Sequence, residues 1–454
     1  MNKYMKALFR IILFGASTAQ AVMMNDIANF IPGFGTDGYV KITTDYDGNG
    51  YAAVNKCVVD SNGKIIVFGQ AQDNLGLIVR YNSDGSVDTV FDQDGTDSEV
   101  YTDGIIDSDG SILAVGRTSI GVGEPLLVRY NSNGTLAAVF EFPTVTEFVD
   151  GLNNGHSTMG SVNGVAVDSE GNIVVVGSGT IQNPSFTNHG FIIKFNSDGS
   201  IVQLNERECF ILDVDNPTYS SQFMGVCIDY DDNIIVVGNM VNPDNSEIFG
   251  IVQRYNGAGV ADSTFNNTNN EFQQSDSTRS KNCVKISLDS NGKILVVGSD
   301  GSYLPIITRY VSSGDFDSSF NMNSPLSISQ IIAEDTPGKV AAMYISNDKI
   351  YLMAERNYYN NYIISLNSDG SLNTDFNKIG YLVLQNYNLF YIMTSVVVDH
   401  INRIVCVGKT NSDSGAYGII SRFLQTGAID TRSSWTAKKA KEYFILNDIK
   451  TGII

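Results

Sequence analysis

Basic residues are scarce in this chain. Its 454 residues include 29 lysines and arginines against 49 aspartates and glutamates, which gives a formal net charge of −20. Binding to a nucleic acid requires a surface rich in lysine and arginine that can neutralise phosphates. The sequence therefore argues against a nucleic-acid partner. The acidic charge is spread along the chain, which is typical of a soluble protein.

Histidine, tryptophan and the common catalytic motifs are scarce as well. The chain has three histidines and one tryptophan, and it contains neither a G-x-S-x-G elbow nor an H-E-x-x-H helix motif. These absences remove the usual serine hydrolase and zinc protease signatures. We therefore expect no catalytic residues, no cofactor and no metal site. The alternative is a lone catalytic base at His156 or His189, in long loops of the third repeat described below.

The five cysteines form no C-x-x-C pair. Cys57, Cys227, Cys283 and Cys406 lie inside apolar, strand-like runs, so we interpret them as small buried residues rather than a disulfide framework. Cys209 lies in an irregular stretch. A disulfide between Cys209 and Cys227 therefore stays open as an alternative.

Long apolar runs are also missing. The run "IILFGA" follows the positively charged "MNKYMKALFR" and precedes an A-x-A site at Ala19-Gln20-Ala21. It is shorter than the roughly 20 residues that span a bilayer, which favours a cleaved signal peptide at residues 1–21 over a membrane anchor. We expect a periplasmic, extracellular or surface-associated protein with no transmembrane segment after cleavage.

The sequence does contain a repeat, present in seven copies. A turn residue is in register in all copies, at Asp60, Asp107, Asp168, Asp229, Asp289, Ile345 and Asp399. A glycine follows nine positions later in six copies, and Ala354 takes its place in the sixth. Self-similarity at a spacing of roughly 47 to 61 residues indicates one supersecondary unit per copy.

Most copies predict about four antiparallel strands, while the first copy is short between Phe91 and Tyr101, so its outer strand stays open. Runs rich in β-branched residues, such as "KIIVFG" and "LGLIVRYN", are separated by Asn-Gly and Asp-Gly turns, and an outer strand is expected at stretches such as "TVTEFVD", "PLSISQII" and "YLVLQNYN". Seven such units predict an all-β, seven-bladed β-propeller of four-stranded blades at residues 22–430. The alternative, a linear β-solenoid, prefers much shorter repeats. Residues 431–454 form a locally basic tail without an assigned role.

The two ends of the repeat region predict how the ring closes. The last copy has no evident outer strand of its own, while "YVKITT", at residues 39–44, resembles the end of a repeat. We expect this N-terminal segment to complete the last blade and so to cover an exposed sheet edge.

The repeat resembles the delta-60 repeat family. The resemblance is carried by "SNGKIIVFG…IVRYNSDGSVDTVF", "SNGKILVVG…ITRY…FDSSF" and "ISLNSDGSLNTDF", and it extends over roughly residues 30 to 430. NHL-type propellers are also similar, through "VAVDSEGNIVVVGSG", although their unit is shorter. The resemblance implies a propeller-like fold in exported bacterial proteins, and it implies no catalytic residues and no ligand.

A cation followed by an aromatic residue recurs at one strand position. The pairs are Arg80-Tyr81, Arg129-Tyr130, Lys194-Phe195, Arg254-Tyr255, Arg309-Tyr310 and Arg422-Phe423, with Ser365-Leu366 in the sixth copy. The constant position favours a buried structural ion pair, with the turn aspartate as partner, over a ring of ligand contacts.

One acidic loop resembles part of a calcium site. "DYDGNG" places Asp45, Asp47 and Asn49 as in the first half of an EF-hand loop, but Lys56 stands where the bidentate carboxylate is required. We interpret the loop as an ordinary Asp-Gly turn, with calcium as the alternative.

The turns and the insertions fall on opposite faces of the predicted ring. Short Gly turns lie on one face and variable insertions on the other, where a rigid scaffold usually carries its binding residues. The predicted ligand contacts are Asp73, Tyr303, Tyr358, Tyr359 and Asn360. We therefore expect a monomeric, non-enzymatic propeller that binds a protein or a glycan. The alternative is a propeller lyase or hydrolase with its site at the channel mouth.

Overall fold

The computed structural model contains 27 β-strands in seven antiparallel sheets. The structure describes residues 39–42, 52–71, 75–91, 99–118, 123–143, 158–182, 186–208, 210–211, 219–265, 282–299, 305–320, 326–328, 339–356, 360–385, 392–409 and 418–424. Within this part of the chain, no helix has the length and apolarity needed to cross a membrane.

Each sheet corresponds to one repeat, and the first strand of the chain joins the last sheet. That first strand is β1 (Tyr39–Ile42). The first blade contains β2 (Ala52–Val59), β3 (Ile65–Ala71) and β4 (Gly76–Tyr81). The second contains β5 (Glu99–Ile106), β6 (Ile112–Thr118), β7 (Pro125–Tyr130) and β8 (Leu136–Val139). The third contains β9 (Thr158–Val167), β10 (Ile173–Gln182), β11 (Phe186–Phe195), β12 (Ile201–Val202) and β13 (Phe210–Ile211).

The remaining four blades repeat the same antiparallel meander. The fourth contains β14 (Ser220–Ile228), β15 (Ile234–Val241) and β16 (Ile248–Tyr255). The fifth contains β17 (Asn282–Leu288), β18 (Ile294–Ser299), β19 (Pro305–Tyr310) and β20 (Leu326–Ser327). The sixth contains β21 (Lys339–Ser346), β22 (Lys349–Arg356), β23 (Asn360–Asn367) and β24 (Tyr381–Gln385). The seventh contains β25 (Ile392–Val398), β26 (Arg403–Lys409) and β27 (Gly418–Leu424).

The turn between the first two strands shows why the repeat begins with aspartate and glycine. Asp60 Oδ1 accepts the N–H groups of Asn62 and Lys64 at 2.8 and 2.9 Å. Gly63 has a φ of 75°, a left-handed backbone that a residue without a Cβ adopts at no steric cost. The same aspartate-accepted bonds return at the first turns of the third, fourth, fifth and seventh blades, with Asp232 or Asn402 in the left-handed position of the fourth and seventh.

The ring closes as the sequence predicted. The innermost strands β2, β5, β9, β14, β17, β21 and β25 are neighbours in that cyclic order, and β25 meets β2 again. Strand β1 pairs antiparallel with β27, with Tyr39 opposite Ser421 and Ile42 opposite Gly418. Ile42 is buried in a cluster shared by the first and last blades. The N-terminal segment therefore supplies the outer strand of the seventh blade.

The number of strands per blade partly differs from the prediction. Strands β20 and β24 confirm the outer strands expected in the fifth and sixth copies. The described residues give three strands in the first and fourth blades, and four in the others apart from the third. The third carries two short outer strands, because β12 and β13 pair with different parts of β11. The predicted strand "TVTEFVD" lies outside the described residues.

The hydrophobic core lies between neighbouring blades. One cluster joins Val54 and Val67 of the first blade to Val397 and Val405 of the seventh. Because each sheet packs on both faces, its strands are continuously apolar rather than alternating. The described cysteines, Cys57, Cys227, Cys283 and Cys406, form no disulfide. Because Cys227 is not in a disulfide, the alternative Cys209–Cys227 bridge is wrong; Cys209 itself lies outside the described residues.

Candidate functional site

The innermost strands surround a central channel, and all seven share one irregularity. In the first blade, Val54 pairs with Gly69 and Lys56 with Phe68, so that Asn55 is an extra, bulged residue. The repeated glycine favours it in six blades. A Cβ on Gly69 would lie 1.9 Å from the carbonyl oxygen of Ala53, so glycine lets the inner strand pass closely there. The sixth blade forms the same bulge with Ala354 at this position.

In four blades the bulged residue has a side chain that donates a hydrogen bond, and this bond connects the inner strand to that of the next blade. Asn55 donates to Tyr101 O at 2.7 Å, and Thr394 of the last blade donates to Val54 O at 2.7 Å. Thr102 and Asn163 make the same bond one blade further on. These bonds join neighbouring inner strands along the wall of the channel.

Three charged residues follow the bulge and meet at the axis; we call Lys56, Asp103 and Lys285 the axial cluster. Lys56 Nζ lies 2.8 Å from Asp103 Oδ1 in the neighbouring blade. Lys285 interacts electrostatically with both, although it belongs to the fifth blade. The fifth blade is not adjacent to the first or second, so this interaction crosses the channel.

The pKa directions within the axial cluster follow from burial and charge. Burial lowers the pKa of Lys56, but the attraction and hydrogen bond of Asp103 outweigh it, and the net pKa is raised. Burial raises the pKa of Asp103, but Lys56 and Lys285 reverse this and lower it. Burial also lowers the pKa of Lys285, and here the attraction of Asp103 does not compensate.

The same position in the other four blades holds a small residue, namely Gly164, Gly225, Ala342 or Ser395. Cys57, beside the axial cluster, has its Sγ 3.7 Å from Ser395 Oγ. Burial raises the pKa of this thiol to about 12, so it stays protonated. The charged groups of this layer are therefore the two lysines and one aspartate.

The recurrent cation of the third strand holds neighbouring blades together. We call this contact the latch: the side chain donates to a backbone carbonyl in the third turn of the next blade. Its donors and acceptors are Arg80 and Ser132, Arg129 and Ser197, Lys194 and Gly257, Arg254 and Ser312, Arg309 and Ser368, and Arg422 and Ser83. The latch therefore joins six of the seven blade interfaces, including the one that closes the ring.

The latch cations are also the predicted structural ion pairs. The turn aspartate is the partner in the second to fifth blades, for Arg129–Asp107 at 3.5 Å, Lys194–Asp168 at 2.8 Å, Arg254–Asp229 at 3.8 Å and Arg309–Asp289 at 3.8 Å. The structural interpretation is confirmed there. The cation also has a second partner that was not predicted, an aspartate eight residues further along the chain. In the first blade, Arg80 Nε lies 2.8 Å from Asp88 Oδ2.

The sixth blade replaces the charged pair by a neutral one. Ser365 stands at the latch position and Asn373 at the second aspartate, and Asn373 Nδ2 donates to Ser365 Oγ at 3.0 Å. The turn residue is Ile345 in place of aspartate. The departures seen in the sixth copy are therefore coupled, because losing the cation without losing the aspartates would leave buried negative charge unpaired.

A polar cleft opens beside the channel on the face that carries these tight turns. Its volume is about 360 Å³, and its walls are the first turns of the sixth, seventh and first blades. Asn347 Nδ2 donates to Asn402 Oδ1 at 2.6 Å across it. His400 packs directly against Gly63, so that this histidine fills a space between blades.

Three stretches of the chain match one family model. Residues 61–91, 108–136 and 290–320, in the first, second and fifth blades, match the β-propeller model described as a domain of unknown function (DUF5122). These stretches contain the turns, glycines and latch cations described above. The chain is a β-propeller repeat protein. The predicted β-propeller repeat is thereby confirmed, and no curated protein matches the chain in sequence.

This β-propeller repeat protein is also similar to solved structures. A protein of unknown function from Dyadobacter fermentans is 13% identical, with 86% of this chain and 100% of that chain covered at a TM-score of 0.44. A gluconolactonase from Xanthomonas campestris is 12% identical over 75% and 91%, at 0.37. YCF48 from Cyanidioschyzon merolae is 9% identical over 85% and 99%, at 0.42. Because all three TM-scores are below 0.5, we infer no function from these similarities.

Most predicted ligand contacts of this β-propeller repeat protein lie outside the described residues. This applies to Asp73, Tyr303, Tyr358 and Tyr359, and also to Asp45 and Asp47 of the calcium alternative. Asn360 begins β23, where it is opposite Arg356 and Gln385. The axial cluster was not predicted. The sequence did hold one sign of it, because its three charged residues occupy the same position of the repeat.

Of the two histidines considered as an alternative catalytic base, the structure describes one, His189. The expectation that His189 lies in a long loop is wrong: it lies on β11, the third strand of its blade, away from the axis, and is 8% exposed. Its Nε2 is 2.8 Å from Thr187 Oγ1. His156 lies outside the described residues. Among the described residues, no group of three histidine, cysteine or acidic side chains is arranged to hold a metal ion.

Proposed function

We propose that this β-propeller repeat protein is an exported, non-enzymatic binding protein that contacts a protein or a glycan through its long-loop face, opposite the tight turns. The supporting observation is the difference between the two faces. On the tight-turn face, the same turns and cations recur and hold the blades together. On the long-loop face, connections differ from blade to blade, and such loops on a rigid scaffold usually carry binding residues.

The loop of the fourth blade at residues 242–247 illustrates a preformed contact surface. The Asn242 N–H donates to Glu247 O at 2.9 Å, and Asn245 Oδ1 accepts the Glu247 N–H at 2.9 Å. Residues 243–246 at its tip are exposed. Because the loop is held by its own hydrogen bonds, a partner would order few additional groups when it binds, which limits the entropic cost.

The carboxylate of the axial cluster, Asp103, does not favour the alternative of a lyase or hydrolase. An acid–base mechanism needs a group that exchanges protons near the working pH. Asp103 is paired with Lys56 and its pKa lies below the usual range, so it remains an ionised partner of the lysine. It therefore supplies no general acid to the channel.

Export and the loop contacts remain part of the proposal. We propose cleavage between Ala21 and Val22, which N-terminal sequencing of protein recovered outside the cytoplasm would test. Cytoplasmic protein with an intact Met1 would contradict it. The proposed contacts on the long-loop face are Asp73, Tyr303, Tyr358, Tyr359 and Asn360.

Binding profiles of loop-shortened variants test the proposed function. The mature protein is screened against glycan and surface-protein panels, and each hit is measured again with residues 242–247 replaced by Asn-Gly. This replacement keeps the pairing of Val241 with Ile248 and uses a favoured two-residue hairpin turn. The connections at 119–122, 183–185 and 357–359 are shortened in turn.

A matched control changes the other face. Glu170→Ala alters an exposed side chain in a tight turn and should leave every hit unchanged. At least one loop replacement should weaken binding at least tenfold. Equal binding by all four loop variants, or turnover of a bound glycan by the wild-type protein, would contradict the proposal.

A further inference from the structure

Lys285 is a half-buried cation whose charge is not balanced. It follows the bulge of β17, as Lys56 follows the bulge of β2. Lys56 finds its carboxylate at the equivalent position of the next blade, where Asp103 stands. The next blade after Lys285 carries Ala342 at that position. Within the part of the chain that the structure describes, no carboxylate forms an ion pair with Lys285.

The axial cluster consequently has one net positive charge. Lys56 and Asp103 neutralise each other at 2.8 Å, and Lys285 remains. This charge is not part of a basic surface, because the whole chain has a formal net charge of −20. A cation between low-dielectric walls concentrates anions more effectively than one on an open surface.

The neighbouring polar groups add no negative charge. Burial raises the pKa of Tyr344, and its phenol stays neutral. Burial likewise keeps the Cys57 thiol protonated. The remaining blades present Gly164, Gly225, Ala342 and Ser395 at this level, and none of these residues has a charged side chain.

We propose that the axial channel binds one small monocarboxylate, held by the Lys285 ammonium group beside the Lys56–Asp103 pair. One unbalanced charge matches a monoanion, whereas a dianion would leave the channel negative. A charge-assisted hydrogen bond from an ammonium to a carboxylate is the interaction that the cluster lacks at Lys285. The site goes beyond the proposed loop-face function and does not depend on it.

Fluoroacetate is the probe, and its binding is measured by ¹⁹F NMR and calorimetry on the full mature protein. Lys285→Gln should weaken binding at least tenfold. The matched control Lys409→Gln removes the same charge from a second strand, away from the axis, and should bind as the wild type does. Equal affinity of wild type and Lys285→Gln, or tighter binding of sulfate than of fluoroacetate, would overturn the proposal.

The variant Lys285→Arg keeps the positive charge, so it shows whether weaker binding by Lys285→Gln comes from the lost charge or from a disturbed fold. Arginine stays protonated at alkaline pH, whereas the pKa of Lys285 is lowered. The wild-type affinity should therefore fall at a lower pH than a lysine of ordinary pKa would allow, while Lys285→Arg keeps its affinity within a few-fold across the same pH range. Parallel pH profiles for the two proteins would overturn the assignment.

The carboxylate source is distinguished by a second probe pair. An acetylated tripeptide with a free C-terminus is compared with its amide. Binding of fluoroacetate, with or without the free peptide, supports a small-acid site. Binding of the peptide acid without fluoroacetate would overturn the small-acid assignment.

Discussion

Removing one latch cation is expected to destabilise the ring more than removing the cation and its aspartate together. Arg309 is the clearest position, because its side chain and that of Asp317 are each 6% exposed and their charged atoms are 2.8 Å apart. The guanidinium also donates to Ser368 O in the next blade and lies 4.6 Å from the ring centre of Phe320. Arg309→Ser removes all three contacts.

The magnitude follows from the charge that remains. Before the change, Arg309 and Lys293 balance Asp289 and Asp317; afterwards two carboxylates share one lysine. Breaking a buried ion pair by removing one partner costs about 3–5 kcal/mol. Lys293 Nζ stays 2.6 Å from Asp317 Oδ2, so we expect a loss of about 3 kcal/mol, at the lower end.

The second change restores the neutral arrangement found in the sixth blade. Arg309→Ser with Asp317→Asn reproduces the pair formed by Ser365 and Asn373, which are hydrogen-bonded at 3.0 Å. Lys293 and Asp289 then balance each other. The double variant should therefore recover about half of the stability that Arg309→Ser loses, since coupled sites in one network are not additive.

Urea unfolding followed by circular dichroism measures the cycle of wild type, two single variants and the double variant. Arg117→Ser, an exposed arginine on the second strand of its blade, is the control and should change stability by no more than about 0.5 kcal/mol. A double variant that is less stable than Arg309→Ser would refute the charge-balance reasoning.

Four further outcomes are expected. Deleting residues 22–44 should lower the melting temperature and cause aggregation far more than deleting residues 436–454, because only the first removes the closing strand; equal melting would contradict this. Gly116→Ala should cost roughly 1–3 kcal/mol in urea unfolding, since its Cβ would lie 1.9 Å from a backbone oxygen. The pKa of Asp262 is lowered to about 2, first by hydrogen bonding to Thr264. Its stabilising effect is present above the unfolded pKa near 4 and is lost as the pH falls towards 2, so Asp262→Asn should flatten melting temperature against pH in that window. Cys57 should resist thiol reagents at pH 8 until urea unfolds the protein, because burial raises its pKa to about 12.

The fold could be predicted because it depends on residues that recur. The turn aspartates and glycines dictate a local backbone, and their repetition at a constant place predicts identical blades. The closing strand was predictable for the same reason, since Tyr39–Ile42 resembles a missing outer strand. Asp88 was missed as a partner of Arg80 because their contact depends on how the chain folds back after the third turn, which strand patterns do not specify.

The axial cluster could not be predicted by the same route. Lys56, Asp103 and Lys285 are far apart in sequence and differ from the residues at that position in the other blades. A repeat alignment treats such differences as noise around a structural consensus. Only the ring brings the fifth inner strand round to the same axis as the first and second, so the interaction of Lys285 with the Lys56–Asp103 pair depends on the complete ring.

Constant and varied repeat positions consequently have different roles in this propeller. The glycine beneath the bulge and the latch cation recur in six of the seven copies because they shape and join the blades, and the one blade that lacks both, at Ala354 and Ser365, has also lost its aspartates. The long loops and the residue after the bulge are free to vary, because neither is needed to join blades. Variation at Lys285 should therefore change the channel without changing the loop face. A Lys285→Gln protein that lost every loop-face partner while keeping its melting temperature would show that the two surfaces are one site.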